Sequence, residues 1–164
     1  MEEDGFTGTF QSKVDRKGRM SIPAKFRRVI EEGDPAWSSG KPMQAKILYG
    51  KHLGESLQIL TVNEFRAKMA RILAMPDSDP NKQYIKRLFL GYSDELTIDK
   101  DGRVVLAQRY REKLGIVEGE LSFMGLGDFI QVWKDENFEE AVDAPMDDWL
   151  EGRGDHFDPM SLVG

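Results

Sequence analysis

Apolar and polar positions alternate loosely over residues 6–14, and the alternation stops at Asp15-Arg16-Lys17-Gly18. Asp at the first and Gly at the fourth place of that tetrapeptide suit a type I turn opening a bulged hairpin, with residues 19–22 as the return strand. Pro23 then stands at a favourable first helical position, Phe26, Val29 and Ile30 follow at helical spacing, and Gly33 is placed to stop the helix in a left-handed cap. The same plan returns over residues 98–115, with Leu106, Tyr110 and Leu114 on one face, Gly115 as the stop and Ala107 in place of the proline. Strands are predicted at 45–50 and 57–62, and again at 121–126 and 129–133. Helices are predicted at 64–74 and 136–142, with Asn63 and Asp135 as N-caps. A further helix over 81–90 carries Tyr84, Leu88 and Phe89. The pattern predicts a mixed α+β, β-rich fold whose core includes Phe26, Tyr110, Leu88 and Phe89.

The two stretches are copies. At an offset of 84, Asp15/Asp99, Gly18/Gly102, Arg19/Arg103 and Arg27/Arg111 are identical, and Val14/Ile98, Ile22/Leu106, Lys25/Arg109 and Phe26/Tyr110 keep their character. At an offset of 73, Leu48/Leu121, Leu53/Leu126, Gly54/Gly127, Gln58/Gln131 and Phe65/Phe138 match. The offset falls because residues 31–44, rich in Gly, Pro and Ser, have no full counterpart, as expected of a surface loop. The chain is therefore read as two homologous halves pairing around one core. The first spans 6–76, a Pro-bounded linker 77–80, the second 81–142, and a loosely ordered acidic tail is expected over 143–164.

Charge sharpens the picture. The formal net charge is −6, yet residues 11–28 hold seven bases and one acid, whereas residues 135–164 hold ten acids and one base. Screening limits the reach of either patch to about 8 Å, so the local field at the first turn decides what it attracts. No apolar run approaches the roughly 20 residues of a membrane helix, and the acidic start at Met1–Asp4 does not resemble a secretory signal. The absence of cysteine excludes disulfides and is compatible with the cytoplasm. Only two histidines occur, His52 and His156, and no metal site or cofactor is expected.

The candidate binding residues are the cations of the two turns: Arg16, Lys17 and Arg19, with Lys100 and Arg103 as their equivalents. Asp15 and Asp99 are expected to brace the arginines, and Gly18 and Gly102 to let the tips turn tightly. A two-stranded ribbon fits a DNA major groove, where arginine can bond guanine twice while lysines meet phosphates. The plain alternative is a solvated turn, but retention in two diverged halves weighs toward binding. Arg27 and Arg111 are read either as functional or as solvent-facing partners of nearby acids. Enzyme readings fare poorly. Ser38-Ser39-Gly40-Lys41 lacks the spaced glycines of a phosphate loop, and Asp77 and Asp79 read more simply as a linker than as a cation site.

These motifs resemble the MraZ family of bacterial transcriptional regulators. The resemblance rests on Asp15-Arg16-Lys17-Gly18-Arg19 with Ser21-Ile22-Pro23-Ala24-Lys25-Phe26-Arg27, on Arg87-Leu88-Phe89-Leu90-Gly91, and on Asp99-Lys100-Asp101-Gly102-Arg103. It implies two AbrB-like (SpoVT-AbrB) halves forming an intramolecular pseudo-dimer around a swapped-hairpin barrel. It further implies a homo-oligomeric ring in the cytoplasm, associated with the nucleoid. That ring would bind repeated G-containing boxes in double-stranded promoter DNA and repress its own operon in the division and cell-wall gene cluster. No membrane or small-molecule partner is implied. By the resemblance Arg19 is the leading candidate for a DNA contact. Asp101 stands where the first turn has Lys17, so the second turn is expected to bind more weakly or to serve assembly. The competing reading is an antitoxin-like AbrB-family interaction module, whose acidic tail grips a partner protein through Trp149, Leu150, Phe157 and Met160.

Overall fold

A computed structural model describes residues 5–164; the acidic start at Met1–Asp4 lies outside the described residues. Among the described residues eight strands form two sheets. The larger has the order β1-β7-β8-β4-β3-β5, and the smaller pairs β2 with β6. In chain order the strands are β1 (Phe6–Val14), β2 (Arg19–Ser21), β3 (Met43–Leu48), β4 (Ser56–Thr61), β5 (Ser93–Ile98), β6 (Arg103–Val105), β7 (Gly119–Gly127) and β8 (Ile130–Lys134). Helix α1 (Ala24–Glu32) follows β2, α2 (Val62–Leu73) follows β4, and α4 (Gln108–Leu114) follows β6. The mixed α+β, β-rich class holds.

Exchange between the halves organises the large sheet. β1 pairs with β7, nine residues deep from Phe6 opposite Gly127 to Val14 opposite Gly119. Its counterpart β5 pairs with β3 of the first half. The hairpins β3–β4 and β7–β8 meet along β4–β8, where Gln58 lies opposite its own equivalent, Gln131, marking a pseudo-two-fold axis. The ladders also correct one alignment. Ser12 faces Leu121, and Leu96, which stands at Ser12's place in the second copy, faces Ala45. Ala45, not Leu48, is therefore the equivalent of Leu121. The β3–β4 connection is longer, with a 3₁₀ turn at Lys51–Leu53.

One core joins both halves. Phe6, Ile22, Phe26, Ile30, Ile98, Leu114 and Phe123 are buried in a single cluster, with Phe26 held edge-on between Phe6 and Phe10 at 5.6 and 5.2 Å. Tyr110 belongs to it as expected; Leu88 and Phe89 are only half-buried, Phe89 in a satellite cluster with Leu48, Leu60 and Phe65. Burying an aliphatic or aromatic side chain contributes on the order of 1.5–3 kcal/mol, so the first half loses much of its core without the second.

Local signals were met with exceptions. The α2 cap is Thr61, whose hydroxyl accepts from the Glu64 amide at 3.0 Å, so Asn63 lies inside the helix. Asp135 does not cap either; its carboxylate accepts from Ser122 Oγ at 2.6 Å and Gln11 Nε2 at 2.8 Å. Gly115 takes the left-handed cap at φ 76°, but Gly33 does not, at φ −91°. A Cβ there would lie 2.4 Å from the Thr61 side chain, so close packing explains Gly33. The helix expected over 81–90 is a short α segment, α3 (Lys82–Ile85), running into a π turn at Lys86–Leu90. The tail differs most. After α5 (Asp135–Phe138) a π turn (Glu139–Asp143) leads into α6 (Ala144–Glu151), and Pro159–Leu162 form a 3₁₀ turn. Pro145 stands in the first turn of α6, directly after the π turn. No helix among the described residues is long and apolar enough to cross a membrane.

Candidate nucleic-acid interface

Each turn is closed by its aspartate. The Asp15 amide donates to the Arg19 carbonyl at 3.0 Å, and Gly18 N–H donates to the Asp15 carbonyl at 2.9 Å. Asp15 Oδ1 accepts the Lys17 and Arg19 amides at 2.9 Å, and Oδ2 accepts Arg19 Nε at 2.7 Å. These donors, led by the Arg19 amide, hold the Asp15 carboxyl below the ordinary carboxylate range. The second turn repeats the backbone part: Asp99 Oδ1 accepts the Asp101 and Arg103 amides at 2.9 Å, and the Asp99 carboxyl is likewise lowered, first by the Arg103 amide. Among the described residues no side-chain bond ties Arg103 to Asp99. The first arginine is held at its root through Nε, its terminal nitrogens making no hydrogen bond among the described residues; the second lacks that tie.

The expected hairpins are not ladders within each half. β1's pairing edge is taken by β7 and β5's by β3, so the two return strands pair with each other: Arg19 opposite Val105, Met20 opposite Val104, Ser21 opposite Arg103. Met20 and Val104 point into the core, while Arg19, Ser21, Arg103 and Val105 are exposed. Arg19 and Arg103 therefore stand on a diagonal of one ribbon's outer face, within roughly 7–8 Å of each other by strand geometry. Both line the two hollows that flank the ribbon, of about 560 and 470 Å³.

The turn glycines serve this crossing rather than an open tip. Gly18 and Gly102 are buried at φ 89° and 83°, and the carbonyl of each accepts from the opposite half: Leu106 N–H donates to Gly18 O at 2.7 Å and Ile22 N–H to Gly102 O at 2.8 Å. A Cβ on Gly18 would lie 2.4 Å from the Leu106 carbonyl oxygen. The space left by the missing side chain is thus filled inside the protein, by the other copy.

Arg27 and Arg111, read from sequence as functional or as partners of acids, bind backbone carbonyls. Arg111 Nη1 donates to Arg16 O at 3.0 Å and its Nε to Leu106 O at 3.0 Å; Arg27 Nη1 donates to Asp101 O at 3.1 Å. Each helix arginine clamps the other half's turn. Their identity across the copies was the visible signal, but their target was not.

The outer cations are placed unequally. Lys17, Lys100 and Arg103 carry no ion pair among the described residues, whereas Arg16 Nη2 bonds Glu118 Oε1 at 3.0 Å in an exposed pair. Such a pair contributes about 0–1 kcal/mol, so a phosphate can displace it at little cost. Asp77 holds Lys82 at 2.7 Å and Asp79 accepts the Asn81 amide at 2.9 Å, so both acids are engaged by the start of the segment that follows.

A family profile described as "MraZ protein, putative antitoxin-like" matches residues 6–88 and 89–147, one match for each half. The chain is 37% identical over 158 residues to the protein named transcriptional regulator MraZ of Ruegeria sp. (strain TM1040), covering 96% of this chain and 94% of that one. The namesake of Ruegeria pomeroyi gives the same figures. That of Chlorobaculum tepidum is 30% identical over 141 residues, covering 84% and 89%. With a profile over both halves and relatives matched along almost their whole length, the chain belongs to the MraZ family.

Proposed function

We propose that this protein is a sequence-specific DNA-binding transcriptional regulator that represses its own operon, a division and cell-wall cluster, by binding repeated G-containing boxes in promoter DNA. It does so in the cytoplasm, on the nucleoid, as a homo-oligomer, by family resemblance a ring, and performs no catalysis. Its halves are AbrB-like and exchange their hairpins to form a pseudo-dimer within one chain. The observation that carries the reading is the β2–β6 ribbon, which gathers Arg19 and Arg103 on one outer face, with Arg16, Lys17 and Lys100 at its two ends.

The mechanism follows from the bracing. Asp15 fixes Arg19 through Nε, leaving the two terminal nitrogens to meet guanine O6 and N7 as a pair. A guanidinium already aimed loses less side-chain freedom on binding. Arg103 lacks this tie, and its turn carries Asp101, so the second turn supports phosphate contacts through Lys100 more than base reading. The ribbon is thus a lopsided reader, strong on the Arg19 side.

Fluorescence anisotropy of the protein's own upstream DNA against scrambled DNA tests this, run at several salt concentrations. Specific binding should weaken steeply with salt as counterions are released. Arg19→Ala should cost about 1–3 kcal/mol and erase discrimination, whereas Lys17→Ala should weaken both DNAs alike and lower the salt slope by about one. Equal binding of both DNAs by wild type and Arg19→Ala would sink the assignment.

A further inference from the structure

The two halves differ in what covers their last helix. In the first, α2 brings Phe65 against Phe89 beyond α3, the rings stacked at 5.4 Å, and Phe65 is buried. In the second, Phe138 of α5 occupies the equivalent place but is half-buried. The chain then continues to the end of α6, where Met146, Trp149 and Leu150 are 41–44% exposed. Among the described residues no counterpart of the α3 segment covers this helix. Trp149 is partly shielded by the chain beyond it, Arg153 lying over the ring at 4.1 Å and Phe157 edge-on at 5.6 Å.

A matching surface lies elsewhere on the same molecule. Between α2 and the α3 segment runs an open groove of about 350 Å³, lined by Ile72, Met75, Ile85 and Phe89 with Lys68 and Arg71 on its rim. Charge is complementary. Residues 62–90 hold six bases and three acids, whereas residues 135–151 hold eight acids and no base. Lys68 and Lys82 are already engaged by acids, but Arg71, Lys86 and Arg87 carry no ion pair among the described residues.

We propose that α6 of one copy docks its Met146, Trp149 and Leu150 face into the α2–α3 groove of a second copy, its acids meeting Arg71, Lys86 and Arg87. The second copy supplies in trans the cover that the α3 segment gives α2 within the chain. This deepens the homo-oligomer reading above and rests on it. Donor helix and acceptor groove are different surfaces, so the contact is head-to-tail, and successive copies close into a ring or run on as a filament.

Two full-length variants test it by light scattering after gel filtration: Leu150→Asp spoils the donor, and Arg71→Glu spoils the acceptor. Both positions are exposed, and circular dichroism checks that each variant is folded. Each alone should raise the concentration for half-assembly on the order of tenfold or more. Mixed in equal amounts they should form one heterodimer and nothing larger, because one intact donor and one intact acceptor remain. A variant assembling like wild type, or a mixture that gives no heterodimer, overturns the docking while leaving the oligomer reading in place. A monomeric wild type overturns both. If Leu150→Asp then swells that monomer, the helix sits on its own chain's groove; if neither substitution alters it, the helix face belongs to a partner protein.

Discussion

Replacing Gly18 with alanine measures how tightly the two halves are wedged at the ribbon. The added Cβ meets two penalties there. One is the backbone at φ 89°, where an L side chain costs about 1–2 kcal/mol. The other is contact with the Leu106 carbonyl oxygen at 2.4 Å, well inside any real carbon–oxygen approach. Relief requires moving the turn away from β6, which breaks the 2.7 Å bond from Leu106 N–H to Gly18 O, about 1 kcal/mol, and loosens the grip of Arg111 on Arg16 O. The sum is about 3–4 kcal/mol. Gly40 supplies the control: its φ is 85°, but a Cβ there meets nothing within 4 Å, so Gly40→Ala should cost only the backbone penalty of about 1–2 kcal/mol. Urea unfolding followed by circular dichroism at fixed protein concentration reads both. With a slope of roughly 2 kcal/mol per molar, the midpoint should fall by about 1.5–2 M for Gly18→Ala and by 0.5–1 M for Gly40→Ala. Equal shifts would mean that the turn is not packed against the opposite half, and the crossing described above would be wrong.

Two further outcomes follow from the same geometry. Arg111→Met keeps the stem but loses two charge-assisted bonds to carbonyls, so urea stability should fall by about 2 kcal/mol; affinity for the promoter DNA should fall too, and an unchanged affinity would remove Arg111 from the support of the basic turn. The Asp15 and Asp99 carboxyls are both lowered by folding, so their contribution is present above the ordinary carboxylate pKa and is lost as pH falls through the lowered values. The acid limb of a stability–pH curve should therefore flatten in the double variant Asp15→Asn/Asp99→Asn below about pH 4, and an acid limb identical to wild type would refute the bracing.

Much of the fold was legible because its signals are local. Phe26 and Tyr110, at helical spacing after each return strand, announced buried helix faces, and both are buried. Alternation, however, tells which face of a strand is inward and not which strand lies beside it. Two diverged copies of one plan satisfy the same pattern whether strands pair within a copy or across copies, and here β1 pairs with β7 and β2 with β6. The site shows the same division. Asp15 four residues before Arg19 announced the bracing geometry, since that contact closes within one turn. The reach of Arg27 to Asp101 and of Arg111 to Arg16 spans 74 and 95 residues, a distance over which no spacing rule operates. The helix α6 was not legible because its acids mask the apolar spacing of Met146, Trp149 and Leu150.

The β1–β7 ladder also dictates a timetable. Phe6 finds its partner at Gly127, so the first strand leaves the ribosome long before the strand that will receive it. At 5–20 residues per second the wait is on the order of ten seconds. Throughout that time the nascent chain exposes an unpaired strand and the apolar face of α1. On a crowded polysome, a neighbouring chain offers the same β7 as the chain's own. Slowing translation between the two repeats should therefore raise the fraction of chains recovered as strand-exchanged pairs by gel filtration.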